Sequence, residues 1–315
     1  MNTNYWFISM LLILAACTQT PVIDQATMLD GDQVFDPSLY NPAQYLVSAA
    51  IPNPTEDQKN TPVVIAAHGY SATTYEWDEF RAYAEGKGDF LVSQVLLGGH
   101  GRTYAEFKAS TWEDWQEPIL TEYNALRAKG YTNINFAGSS TGCPLLLDLI
   151  KKGAIGEGGL KHVFLVDPIV IPSDKMLTLI GLVGPMMGYL ETTNTPTEEG
   201  HWYNFRPQET LQQLLKLVDK TRKDLETGYK LPPGIQVYVF KSLKDPSADP
   251  VSAVLLYKGL KYIYGAKIDV MMVDSELHVM TRLNGRDGVT QHDRDIQAQV
   301  FESIHAKLLG SFTTF

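Results

Sequence analysis

The pattern that most limits how this chain can fold is a series of short apolar runs rich in β-branched residues: Val63 to Ala67, Leu91 to Leu97, Ile134 to Ala137, Val163 to Val166, Ile235 to Phe240 and Ile268 to Val273. Polar residues scarcely interrupt them, which suits parallel strands covered on both faces better than strands with one wet side. Helix-like stretches such as 113 to 129 and 142 to 152 lie between them. The alternation predicts an α/β fold, a doubly wound and mostly parallel sheet. One interval breaks the rhythm. From Ser173 to Gly234, roughly 60 residues separate two predicted strands, too many for a simple crossover. An inserted helical cap is predicted there. Leu211, Leu214, Leu215 and Val218 fall at i, i+3, i+4 and i+7, so one side of a helix in it is apolar. The run Met176 to Leu190, with three methionines, suits either an adaptable acyl pocket or plain core.

Composition removes several function classes. Lys and Arg number 26 against 36 Asp and Glu, a formal net charge of −10, with no basic block. Nucleic acid is therefore not an expected partner. At 44% hydrophobic and 20% charged residues, the chain has ordinary globular composition rather than that of a disordered one. Two cysteines, Cys17 and Cys143, cannot make a disulfide framework or a four-cysteine zinc site. Cys143 has no neighbouring cysteine and fits a small buried hydrophobe.

Chemistry concentrates after the run ending at Ala137. There the sequence reads Gly138-Ser139-Ser140-Thr141-Gly142, followed by the apolar, helix-like Pro144 to Ile150. Gly-x-Ser-x-Gly between a strand and a helix makes a strained turn, whose glycines let backbones pass closely and whose middle serine projects from the strand's C-terminal end. Ser139 should face elsewhere. No Gly-x-Gly-x-x-Gly or Gly-Lys-Ser/Thr accompanies the turn, which separates it from phosphate-binding loops. A serine hydroxyl needs a base, a residue to orient that base, and donors for a developing oxyanion. The donors predicted are the backbone N–H groups of Thr141, after the nucleophile, and of Tyr70, in the loop His68-Gly69-Tyr70-Ser71 after the first run. His68 and His100 as metal ligands form the competing possibility, without an Asp, Glu or Cys companion at ligand spacing.

The strand-His-Gly-aromatic segment followed by Gly-x-Ser-x-Gly resembles the α/β-hydrolase superfamily, over about residues 60 to 310. Within it the chain looks most like bacterial serine carboxylesterases of the monoacylglycerol-lipase kind. The resemblance implies a nucleophile, acid, histidine order along the chain. It assigns Ser140 as nucleophile, Asp245 as acid, in Lys244-Asp245-Pro246-Ser247-Ala248, and His278 as general base, in Ser275-Glu276-Leu277-His278-Val279. Asp249, near a helix start, and Asp167, after an earlier strand, stand as alternatives for the acid. His292 fits an exposed helix position, and His100, His162, His201 and His305 fit structural ones. The implied reaction is hydrolysis of small-molecule carboxylic esters through an acyl-enzyme, with no metal or organic cofactor. A thioesterase, a lactonase, a haloperoxidase or a non-catalytic binding module on the same fold stay open.

Residues 1 to 16 contain no Asp, Glu, Lys or Arg, and their apolar run ends in Leu14-Ala15-Ala16-Cys17. The run suits an export signal rather than a membrane span, and its end resembles a bacterial lipobox in which Cys17 carries the lipid. Met1 to Asn4 lack the usual Lys or Arg of such a signal. Thr18 in place of Asp implies an outer-membrane destination in a Gram-negative envelope. The predicted organisation is therefore signal 1–16, lipidated tether 17–40, core 41–172, cap 173–234 and core 235–315.

Overall fold

The computed structural model describes residues 40–156, 160–173 and 188–310. The predicted export signal, Cys17, the tether up to residue 39 and residues 176–187 of the methionine-containing run lie outside the described residues.

Six strands form one sheet: β1 (Val63–Ala67), β2 (Leu91–Val95), β3 (Ile134–Ser139), β4 (Leu160–Val166), β5 (Gln236–Ser242) and β6 (Asp269–Val273). Their order is β6-β5-β4-β3-β1-β2 and every pairing is parallel. Each predicted apolar run lies on one of these strands, within a few residues at the ends. Side chains alternate between two cores, as strand geometry requires. Val63, Ile65 and Ala67 of β1, Val163 and Leu165 of β4, and Val237 and Val239 of β5 enter one core. Val64, Ala66, Phe164, Val166 and Phe240 enter the other. All five β1 side chains are buried, each large apolar one contributing about 1.5–3 kcal/mol relative to exposure.

Helices α1 (Asp78–Lys87) and α6 (Gln291–Leu308) cover the second core. The first core is covered by α2 (Trp112–Ala128), α3 (Gly142–Lys151), α4 (Gln208–Thr227) and α5 (Val251–Gly259). Helix α4 lies in the interval predicted as a cap, yet it packs on α3 and α5 and sends Leu214, Leu217, Val218 and Leu225 into the sheet core. Its apolar side differs from the predicted one. Leu211, Leu214 and Val218 are buried, Leu215 is only partly so, and Leu217 and Leu225 complete the buried side. The helix is covered from two directions, so the simple spacing rule picked a stripe slightly rotated from the true one.

The rest of the described insertion is a short antiparallel pair, Tyr189–Glu191 with Phe205–Pro207, around the helical turn Pro196–Glu199. It is fastened at both ends of the site. Tyr203 N–H donates to Ser71 O at 3.1 Å, and Thr195 Oγ1 donates to Gly285 O at 2.7 Å. Arg282 pairs with Glu198 at 2.6 Å while its guanidinium lies 4.4 Å from the Trp202 ring centre.

Candidate active site

The loops that leave β1, β3, β5 and β6 at their C-terminal ends converge on Ser140. Immediately after β3 it has φ 47°, in the left-handed region that a side-chain-bearing residue enters at a cost of about 1–2 kcal/mol. The turn is clamped on both sides: Ser140 N–H donates to Val166 O at 3.0 Å, and Cys143 N–H donates to Ser140 O at 3.2 Å. Both motif glycines are dictated by contact. A Cβ on Gly138 would sit 2.8 Å from the Gly142 carbonyl carbon, and one on Gly142 would sit 2.3 Å from Ala67 O. As predicted, Ser139 turns away, its hydroxyl bonding to Glu76 Oε1.

His278 Nε2 lies 2.8 Å from Ser140 Oγ, and its Nδ1 lies 2.9 Å from Asp245 Oδ2. A carboxylate only accepts, so Nδ1–H is the donor and Nε2 is free to accept from the serine hydroxyl. The structure thus brings together the three residues predicted from three separate stretches. Asp249 is elsewhere: its carboxylate accepts the Val251 N–H at 2.8 Å at the start of α5. The other alternative acid, Asp167, is buried with φ 44° and accepts N–H groups of Ser242 at 2.8 Å and Met280 at 3.2 Å, not the imidazole.

Sequence reasoning assigns no role to Lys241, yet it is one of the most unusual residues here. Its side chain is 0% exposed, and Nζ bonds to Asp245 Oδ2 and, at 3.1 Å, to Asp167 Oδ1. The other Asp245 oxygen accepts from Ser247 N–H at 2.8 Å and Ala248 N–H at 3.0 Å. Burial pushes the Asp245 carboxyl up, but the His278 hydrogen bond and charge, with those of Lys241, outweigh it and hold it down at about 2. Burial raises the Asp167 carboxyl, with the Asp245 charge adding to that and Lys241 opposing it. The only sequence hint was a lysine at the end of an otherwise apolar strand, four residues before the acid. Glu76 likewise carries no sequence-based assignment. It accepts the Gly69 N–H at 2.8 Å and the Ser139 hydroxyl, tying the turn after β1 to the turn after β3.

A cavity of about 170 Å³ opens over Ser140 and His278. Tyr70 and Thr141 both line it, and among the described residues no hydrogen bond engages either backbone N–H. Helix α3 begins at Gly142, so its positive end also faces this turn. The Tyr70 ring holds its loop among Phe107, Trp115 and His100, and its hydroxyl bonds to Thr210 Oγ1 at 2.7 Å. His68 and His100 are structural. His68 Nδ1 bonds to Gly69 O at 2.8 Å while Nε2 accepts the Leu97 N–H at 3.1 Å, leaving no nitrogen for a metal. Burial lowers both rings, His100 to about 4. Cys143 is buried and free, and His292 sits exposed on α6 with Nε2 on Asp274 O at 2.7 Å. Arg286 Nη2 donates to the carbonyls of His278 and Val279, the latter at φ 59°, and so fixes the backbone that carries the imidazole.

Solved structures share this arrangement of strands and helices. A metagenome-derived lipolytic enzyme of the LipS and LipT pair is similar with TM-score 0.64 and 16% identity, over 80% of this chain and 94% of that one. A soluble variant of the monoglyceride lipase of Saccharomyces cerevisiae, in complex with a substrate analogue, gives TM-score 0.62 at 12% identity, over 83% of this chain and 90% of that one. The chain has the α/β-hydrolase fold. The monoacylglycerol lipase of Paleococcus ferrophilus shares the α/β-hydrolase fold with it, at TM-score 0.60 and 13% identity over 80% and 97% of the two chains. No protein-family model matches this chain.

Proposed function

We propose that the protein is a serine hydrolase of carboxylic esters. The observation that carries this reading is the unbroken chain from Ser140 Oγ through both nitrogens of His278 to Asp245, at 2.8 and 2.9 Å, beneath a cavity. In the proposed reaction His278 Nε2 takes the Ser140 proton as Oγ attacks the ester carbonyl carbon. The carbonyl electron pair moves onto oxygen, where the N–H groups of Tyr70 and Thr141 receive it. Collapse expels the alcohol, which takes the proton from Nε2 and leaves an acyl group on Ser140. Water then enters by the same relay and releases the acid. Asp245, kept ionised by its surroundings, holds the imidazole in the required tautomer and balances its charge when it is protonated.

Ile169, Trp202, Leu211 and Leu214 give the cavity apolar walls, which supports acyl esters of short to medium length or monoacylglycerol as substrates. A fluorophosphonate probe should form one adduct, on Ser140, and 4-nitrophenyl esters should be turned over faster than the matching thioesters. Folded protein that gives no adduct refutes the reading, and faster thioester cleavage moves it to a thioesterase. We also propose lipid attachment at Cys17 of an exported envelope protein, outer-membrane in a Gram-negative cell, on the strength of Leu14-Ala15-Ala16-Cys17. Membrane association that persists in Cys17→Ser would refute this.

A further inference from the structure

Among the described residues that line the cavity over Ser140, Arg206 is the one permanent cation. It ends the strand Phe205–Pro207, two residues before α4. Among the described residues no carboxylate pairs with it, and its Nε is buried without any hydrogen-bond partner. Among the described residues none of the acidic groups around it forms an ion pair with it, although Glu209 Oε2 is itself without a partner. Glu198 pairs with Arg282 at 2.6 Å, Glu209 faces Lys108 at 3.7 Å, and Glu76 holds Gly69 N–H and the Ser139 hydroxyl. Burial lowers the Arg206 guanidinium from its ordinary value, with only the Tyr70 and Glu198 charges acting the other way. Guanidinium stays protonated in proteins, so half-buried Arg206 carries a charge with no carboxylate partner among the described residues, one that an incoming anion would balance.

Two further arginines lie near the site; the Nε of each, like that of Arg206, is buried without a partner, but their other nitrogens are engaged. Arg286 is committed to the carbonyls of His278 and Val279, and Arg282 to Glu198 and the Trp202 ring. Arg206 is thus a planar, two-pronged donor in the same cavity as Ser140, whose wall also carries the apolar Ile169, Trp202, Leu211 and Leu214 and the carboxylate of Glu76, itself engaged by Gly69 and Ser139. Such a fork matches a carboxylate in a bidentate pair. One guanidinium balances a single negative charge, which favours a carboxylate over a doubly charged phosphate.

Resting on the ester-hydrolase reading, we infer that the site selects esters that carry a free carboxylate away from the scissile bond, bound by Arg206. The carboxylate comes either from the acyl side, as in the monoester of a dicarboxylic acid, or from the alcohol side, as in an ester of a hydroxy acid. Sites built around a buried polar partner reject analogues lacking it by large factors, because the site group is then left unpaired. The inference therefore makes a strong claim about rates.

The test uses the full-length protein in detergent. Values of kcat/KM are compared for 4-nitrophenyl hemiglutarate, for 4-(pentanoyloxy)benzoate and for the neutral 4-nitrophenyl pentanoate, with phenyl pentanoate as the neutral partner of the benzoate. One of the two anionic esters should exceed its neutral partner by about tenfold or more, and the one that does identifies the side. Arg206→Met should collapse that ratio to about one, and Arg206→Lys should keep part of it, since lysine retains the charge without the fork. Glutarate should inhibit turnover of the neutral ester in the parent protein and lose that effect in Arg206→Met. Neutral esters preferred by the parent protein, or a ratio untouched in a Arg206→Met protein that still labels with fluorophosphonate, overturns the inference and leaves the hydrolase reading intact. No turnover of any ester together with no adduct on Ser140 overturns both.

Discussion

The two sides of the site are built on opposite rules. Beneath Ser140, the groups of the proposed relay are closely partnered: each oxygen of Asp245 is engaged, Lys241 spans two carboxylates, and Arg286 secures the His278 backbone although its own Nε has no partner. Above it, the segment from Tyr189 to Pro207 is tied firmly to its neighbours but leaves Arg206 Nε and His201 Nδ1 buried without partners. The difference separates two tasks. Chemistry needs groups that are already fixed and whose charges are already balanced, because reorganisation during the reaction raises the barrier. Recognition needs groups whose best partner comes from outside.

The comparison can be broken most directly at its lower half. Ser140→Ala and His278→Ala should each lower kcat by about 10⁴-fold or more, measured on 4-nitrophenyl esters. A protein that keeps a tenth of its activity after either change does not use this relay. Next in size is Lys241→Met, which leaves Asp167 and Asp245 buried without their shared cation. It should destabilise by about 3–5 kcal/mol, read by urea unfolding, and Asp167→Asn added to it should restore part of the loss. The same change raises the Asp245 carboxyl from about 2. A depressed carboxyl contributes stability that is present above its unfolded value and is lost as pH falls through its folded one, so without Lys241 that loss begins at higher pH. The acid edge of kcat should move up with it, a shift that a merely structural lysine would not cause.

A smaller effect comes from His100, which lies under the Tyr70 loop between the two halves and is held down by burial at about 4. The unfolded chain takes up that proton near 6.5, so between roughly 6.5 and 4 the folded state binds fewer protons and stability falls as the pH drops. The slope is at most about 1.4 kcal/mol per pH unit for this ring. His100→Phe should flatten the curve of unfolding free energy against pH over that window, and an unchanged slope would remove His100 from the account. The smallest expected effect is Asp249→Asn, within about threefold in kcat, because asparagine serves as well in a turn or cap. If it proves as damaging as Asp245→Asn, the acid has been misassigned.

Sequence reading captured what local backbone needs dictate. Gly138 and Gly142 are forced by approaches of 2.8 and 2.3 Å, and such constraints leave the same residues in the same spacing. Asp245 and His278 were legible because they follow β5 and β6, where a parallel sheet collects functional loops. Lys241 and Glu76 were not. Their partners Asp167 and Ser139 lie 74 and 63 residues away, and pairing at that range follows no periodicity. The rotation of the α4 stripe from Leu215 to Leu217 has a similar cause, since it depends on which helices flank it. Arg206 carries no sequence signal at all, being a lone arginine in a short strand.

Thr195 on Gly285 and Glu198 on Arg282 join the roof of the cavity to the loop that carries His278. Strain on the roof would therefore be felt by the loop whose imidazole stands 2.8 Å from the serine hydroxyl. The seat of the roof and the aim of the imidazole thus depend on one stretch of chain, Arg282 to Arg286.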